Sequence, residues 1–430
     1  MTTPREKYER RRETFDEYVR QGEIGPATGD AVPELCDAYD DHNIMIAPPK
    51  GEGTREVGTI MSWLYRLMQF ARQIDLTTTS TDELKREIQR MHDGTHPHVK
   101  DEGLKKSTLR SYQAALRKFY SYHDFGIDPN DIPIFDKTDS HVDPSDMLTK
   151  EEIHEARNAA NNPRDRLIFD LLLYTGQRRE ALRTLRLKDV NPQEGTYRLN
   201  PTVDGLKGAQ DRNGIRPLLG ARAAIQSWLD YHPDASNPEH YLITARPGYS
   251  QVDPSQPVSG ETIRKVMSNI KERAEIAKPM HPHALRHNFV TIAKRDYELP
   301  DDTVKYLIGH TADSTVMETT YSHLSGDDHV QRAEEAWGIR DPEEESPLTP
   351  DVCNVCGNPL DPNAKACARC GTVYTPDAQS VQEQIQQDMK DSYRAVDPDD
   401  MERQDNLDTL DELLEHPDIK AALIDRISEK

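Results

Sequence analysis

The sequence predicts a mainly α-helical protein with one small β-sheet, in which a helical body precedes a larger helical domain, a short cysteine module and an acidic helical tail. Three observations predict it. Apolar residues recur at helical intervals along most of the chain, as in Ile60, Leu64, Leu67 and Met68. Strand character is confined to "TYRLN" and "IRPLL", which flank a polar, glycine-containing turn between 196 and 219. Four of the 5 cysteines stand in two tight pairs late in the chain, which suits a metal site better than a disulfide framework.

Residues 1–56 read as an N-terminal helical and linker region: a charged helical start from Arg5 to Arg20, then the Gly/Pro-rich "APPKGEG" at 47–53 as linker. Residues 57–140 form a small helical domain. Its first helix is "EVGTIMSWLYRLMQFARQI" (56–74), and its second opens on Ser80 as cap with Glu83 three positions later. The third, "STLRSYQAALRKFYSYH" (107–123), puts Leu109, Tyr112, Leu116 and Tyr120 on one face. Lys105, Lys106, Arg110, Arg117 and Lys118 gather on or beside that helix, either as a solvated face or as contacts to a nucleic-acid groove. The Asp/Pro-rich 128–146 is a hinge.

Residues 146–335 make the largest domain. Thr149 caps a helix with Glu152 three positions on, and "PRDRLIFDLLLYTG" (163–176) is a buried helix closed by glycine. Helices return at 221–231, 260–277, 283–297 and 301–308. Residues 350–375 hold the cysteine module. The tail, 376–430, offers helical leucines at 407, 410, 413 and 414. Protomer contacts, masking of a DNA surface and an inert solubilising role all fit it.

Only 35% of residues are hydrophobic and 30% are charged, and no apolar run approaches the roughly 18 residues of a membrane span. The N-terminus "MTTPREKYERRRE" lacks a secretory hydrophobic segment, so a soluble cytoplasmic protein with no membrane partner is expected. The net charge of −22 is unevenly placed: residues 341–430 hold 22 acids against 8 bases. Within 178–222 the balance reverses, with ten Arg and Lys against five Asp and Glu, so a local cationic surface survives. The acidic excess elsewhere also fits a halophilic protein.

Three distant blocks share one chemical character. "TGQRREALRTL" (175–185) sets an arginine at the mouth of a helix after a glycine turn. "HPHALRH" (281–287) places His283 and Arg286 one helical turn apart, where both reach one ligand, although half-buried structural histidines would give the same letters. "LIGHTADSTVMETTYSHL" (307–324) joins a glycine–histidine turn to Tyr321 and His323. Fixed guanidinia offset charge on phosphate oxygens and a phenol can act as nucleophile, with no paired acids to hold Mg²⁺. The set points to phosphodiester transfer.

The order of these blocks resembles the tyrosine recombinases, the phage-type integrase family, over about 57–330. The matching motifs are Thr175-Gly176-Gln177-Arg178, His283-Ala284-Leu285-Arg286, Leu307-Ile308-Gly309-His310 and Tyr321-Ser322-His323. The resemblance implies a core-binding domain at 57–140 that clamps double-stranded DNA together with the catalytic domain. It implies attack by Tyr321 to leave a 3′-phosphotyrosyl bond, with Arg178, Arg286 and His310 on the nonbridging oxygens and His283 assisting proton movement. Lys207, the lysine of the small hairpin, takes the place of the family's leaving-group acid. No ATP or metal is implied for catalysis, and the assembly on DNA is a homo-oligomer, a tetramer. Two departures stand out. Ala181 occupies a position where an acid is common, and the interval from His310 to Tyr321 is long.

"CNVCGNPLDPNAKACARCG" supplies Cys353, Cys356, Cys367 and Cys370 as two C-x-x-C-G knuckles, the ligand set of a structural Zn²⁺ in a zinc-ribbon-like module. Cys36 is assigned no role. The leading expectation is a site-specific DNA recombinase. A type IB topoisomerase shares the active-site chemistry, and a catalytically idle DNA-binding regulator would share the fold.

Overall fold

The computed structural model describes residues 4–43, 45–136, 143–200, 203, 206, 214–246, 252–295, 299–311, 314–315, 317, 348–361, 364–395 and 401–428. The chain divides into two compact units, Met1–Asp139 and Ser140–Lys430.

The first unit is helical. Helices α1 (Pro4–Arg20), α2 (Pro26–Tyr39), α3 (Val57–Ala71), α4 (Thr81–Asp93) and α5 (Lys106–Tyr122) share one core that includes Phe15, Leu35, Leu64, Phe70, Leu109 and Phe119. Ser80 caps α4 as expected by accepting from the Glu83 amide. The expected boundary at residue 57 is not a boundary of the core. Arg12 pairs with Asp37 at 2.8 Å between α1 and α2, and the His123 ring after α5 contacts the Ala31 carbonyl of α2 at 2.9 Å. Helix α2, absent from the elements that the sequence predicts, carries Pro26, Gly29 and Pro33. Burial of Val32, Leu35, Cys36 and Tyr39 along one side outweighs that local penalty.

The second unit is built around α7 (Pro163–Thr175), in which every residue from Leu167 to Thr175 is buried. Helix α6 (Lys150–Ala159) begins with a complete Thr149–Glu152 capping box. After the short α8 (Arg179–Arg183), the antiparallel sheet β1 (Val190–Asn191), β2 (Thr196–Tyr197) and β3 (Arg216–Pro217) pairs Val190 with Tyr197 and Tyr197 with Arg216. Helices α9 (Ala221–Leu229), α10 (Gly260–Arg273), α11 (Pro282–Arg295) and α12 (Asp301–Leu307) complete the domain.

The cysteine module and the tail helices α13 (Pro376–Ala395), α14 (Met401–Glu415) and α15 (Pro417–Ser428) do not stand apart as the expected separate pieces. Leu348, Ala366, Val373, Ala378, Ala421 and Ile424 belong to the same core cluster as Leu171 and Trp228. The Tyr174 hydroxyl of α7 donates to the Leu348 carbonyl at 2.9 Å, and Lys150 pairs with Asp351 at 3.1 Å. The tail helices therefore pack on the same core as the domain before them. Among the described residues, no helix is long and apolar enough to cross a membrane.

Candidate active site

Two glycine turns organise the site. Helix α7 ends at Gly176, whose φ of 56° is left-handed, and a Cβ there would approach Phe289 to 2.5 Å. Only glycine fits both the conformation and the space. Helix α12 ends at Ile308, and Gly309 follows with φ 68°. The Gly309 amide bonds the Tyr306 carbonyl at 3.1 Å and the His310 amide bonds the Lys305 carbonyl at 2.8 Å. These are the two bonds of a Schellman motif, and they fix where His310 leaves the helix.

Arg286, on α11 and 2% exposed, joins the two turns. Its Nη1 donates to the Gly176 carbonyl at 2.8 Å and to the Ile308 carbonyl at 2.7 Å. The Gln177 amide donates to the Leu307 carbonyl at 2.6 Å, and Arg178 Nη1 lies 3.4 Å from the Gly309 carbonyl. Three of the predicted residues, Arg178, Arg286 and His310, thus meet at the backbone of one pair of turns. Arg178 is half-buried at the head of α8, and His310 is buried. His283 lies one turn from Arg286 on α11 and is exposed, its ring 4.3 Å from that of His287 in an edge-on contact. His281 caps the same helix, its Nδ1 accepting from the Ala284 amide at 3.1 Å.

The electrostatics suit an anion. Burial, then the charges of Arg286, Arg178 and Lys305, push the His310 imidazole down to about 3. Burial, then His283 and Arg286, push His287 down to about 4. Both rings are therefore neutral at neutral pH within a cationic field, and His310 Nδ1 is buried with no hydrogen-bond partner among the described residues. A phosphate placed there would gain from the guanidinia and remove the penalty on protonating the imidazole.

Sequence reasoning missed the residues that hold the turns. Gln177 binds across 130 residues of chain to α12. Tyr197 of β2 is buried with its hydroxyl beside the side chains of Gln177 and Thr175, and burial holds its phenol at about 12. Arg216 of β3, fully buried, donates to the Tyr306 carbonyl at 3.2 Å. Asn288 accepts from the Leu148 amide at 2.7 Å. Ala181 is buried, and the neighbouring Glu180 turns away to pair with Arg183 at 2.6 Å. Tyr321, His323 and Lys207 lie outside the described residues.

The five basic residues expected to meet DNA divide. Lys105 and Lys106 are exposed and Arg110 is half-buried. Arg117 instead donates to the Ile132 carbonyl from Nε at 2.9 Å and from Nη2 at 2.7 Å. Lys118 pairs with Glu52 and lies over the Tyr39 ring at 4.2 Å. Both contacts tie α5 to the rest of the helical unit: Lys118 reaches Tyr39 at the end of α2, and Arg117 reaches the segment that leaves α5.

The four thiols cluster as the spacing requires. The sulfurs of Cys353, Cys356, Cys367 and Cys370 all lie within 4.8 Å of one another. Each knuckle repeats one backbone pattern: Cys353 N to Asn358 O at 2.7 Å matches Cys367 N to Thr372 O at 2.8 Å. The Tyr374 hydroxyl donates to Cys353 Sγ at 3.1 Å. Burial raises the Cys353 thiol, but that bond and the amides of Cys356 and Val355 outweigh it and bring it to about 7. Such a set fits a tetrahedral soft cation.

Two glycine turns, two guanidinia and a neutral imidazole thus lie together on a mainly helical domain with a three-stranded sheet. Residues 146–327 match the Phage integrase family, and the chain is similar to tyrosine recombinases. It is 27% identical over 234 residues to the tyrosine recombinase XerC of Staphylococcus carnosus, covering 52% of this chain and 73% of the relative. Over 233 residues it is 27% identical to a tyrosine recombinase of Thermosipho africanus, covering 53% of this chain and 75% of that one. Among solved structures it is similar to the lambda integrase bound to DNA, with a TM-score of 0.46 and 12% identity over 74% of this chain and 100% of the other.

Proposed function

We propose that the protein cuts and rejoins double-stranded DNA through a covalent 3′-phosphotyrosyl intermediate on Tyr321. The observation that carries the reading is the Arg286 bridge between the Gly176 and Ile308 carbonyls, which assembles Arg178, Arg286 and His310 at one place. The phenolic oxygen of Tyr321 attacks the scissile phosphorus, the 5′-oxygen leaves, and Lys207 supplies its proton. Arg178, Arg286 and His310 hold the nonbridging oxygens, and His283 relays the proton from the phenol. The phosphotyrosyl ester retains the bond energy, so religation needs neither ATP nor a catalytic metal. Lys105, Lys106 and Arg110 engage DNA phosphates, and the protein works as a homotetramer on DNA in the cytoplasm, tolerant of concentrated salt. Cys353, Cys356, Cys367 and Cys370 hold one structural Zn²⁺.

The test traps protein on a nicked suicide duplex. Wild type should form a denaturation-resistant adduct that Tyr321→Phe does not. No adduct from wild type, or one that persists in the variant, defeats the proposal. Relaxation of supercoiled plasmid without exchange between two sites would assign a topoisomerase instead.

A further inference from the structure

A second cationic site is lined by no residue of the catalytic blocks. A cleft of about 560 Å³ is enclosed by the β1–β2 turn, the start of α9, the second cysteine knuckle and the three tail helices. That volume is of the size that takes a small ligand and is too small for a duplex. Arg222 of α9 and Lys420 of α15 line it together.

These two cations act on one another and on no acid among the described residues. Arg222 Nε is buried without a hydrogen-bond partner. Burial, then Arg222, lowers the affinity of the Lys420 amine for its proton. Two like charges lining one partly desolvated cleft are unfavourable unless something negative enters. Gln193 offers a donor, and Gln382 Oε1 is a buried acceptor with no donor among the described residues. Glu194 lines the rim and is the one carboxylate there. The N-terminal ends of both α9 and α15 border the cleft through Leu219 and Pro417, and each adds a positive helix end. A duplex is disfavoured as the occupant by size.

We propose that this cleft binds a small phosphorylated solute of about mononucleotide size, with the phosphate between Arg222 and Lys420 and a hydroxyl-bearing portion against Gln382. Occupancy would pin the tail helices and the cysteine module to the β1–β2 turn and α9, so the solute would regulate how firmly the C-terminal third is held.

The experiment follows hydrogen exchange of the full chain at low salt, with inorganic pyrophosphate and adenosine 5′-diphosphate as probes. Either probe should give saturable protection at 370–373 and 417–420, with at least a tenfold loss of affinity in Arg222→Gln and in Lys420→Gln and recovery in Lys420→Arg. The ligand-free Lys420→Gln protein should melt no lower than wild type, since one of two repelling charges is gone; a merely structural lysine would give the opposite sign. Protection should survive Arg178→Gln, which keeps this site distinct from the catalytic one. Absence of protection, its persistence in both cleft variants, its loss in Arg178→Gln, or its appearance only with a DNA duplex would overturn the proposal.

Discussion

The guanidinium of Arg286 sits 2.8 Å from the carbonyl oxygen of Gly176, a contact that spans 110 residues of chain and closes the first arginine turn onto α11. The same nitrogen holds Ile308 at 2.7 Å, so one side chain fixes both turns of the site. Replacing it should do two separable things. Arg286→Gln leaves two buried carbonyls without a donor and should cost roughly 2–4 kcal/mol in urea unfolding, in addition to abolishing the adduct. Arg178→Gln, at a half-buried position, should abolish the adduct with a much smaller stability loss. Equal stability losses in the two variants would contradict the bridge.

The first turn depends on glycine for two reasons at once. Gly176→Ala must adopt φ 56° and displace Phe289, and these should together cost roughly 2–4 kcal/mol, read as a lowered denaturation midpoint. Gly309→Ala meets the same left-handed penalty, which by itself should cost about 1–2 kcal/mol.

Acid should weaken the ligand-free protein through its buried imidazoles. His310 and His287 lie at about 3 and about 4 against an ordinary 6.5, so the unfolded chain takes up protons first as pH falls. Their contribution is fully present above about 6.5 and is lost as pH drops from there toward 4. Thermal melts between pH 7.5 and 4.5 should show this decline, shallower in His310→Gln than in wild type. Binding of DNA should be accompanied by net proton uptake at pH 5.5, measurable by calorimetry in buffers of different ionisation enthalpy.

The basic residues of α5 should separate into two classes. Arg117→Gln loses the bonds to the Ile132 carbonyl and should lower stability by about 1–2 kcal/mol while leaving the salt dependence of DNA binding unchanged. Lys105→Gln, Lys106→Gln and Arg110→Gln should each reduce the slope of log K against log salt by roughly one. A large change of slope in Arg117→Gln would return that residue to the DNA face.

Metal loss should be felt well beyond the knuckles. One Zn²⁺ per chain is expected by mass spectrometry, and chelation or Cys367→Ser should expose 348–375 and also loosen α13 and α15 to exchange, because Ala366, Val373, Ala378 and Ala421 are one core. Loosening confined to the knuckles would contradict that shared packing.

What the sequence made legible here are local signals tied to chemistry. The Thr149 cap, the glycine closing α7, the histidine–arginine pair one turn apart and the thiol pairs each announce themselves within a few residues. Gln177, Tyr197 and Arg216 gave no such signal, since each acts only through a partner brought near by the fold: Leu307 for Gln177, the Thr175–Gln177 turn for Tyr197, Tyr306 for Arg216. Helix α2 was hidden by its own prolines and glycine, whose local penalty is outweighed by burial. The docking of the tail was hidden because small side chains such as Ala378 and Ala421 make it, and alanine carries no periodic message of its own.

Both acceptors of Arg286 are main-chain oxygens, and main-chain oxygens are supplied by every amino acid. Drift at Ile308 or in the letters around Gly176 can therefore proceed without unseating the guanidinium, provided the two bends survive. What inheritance must preserve at this point is a curvature of the backbone, with chemistry hung from it, and relatives can share the pocket long after their spelling has diverged.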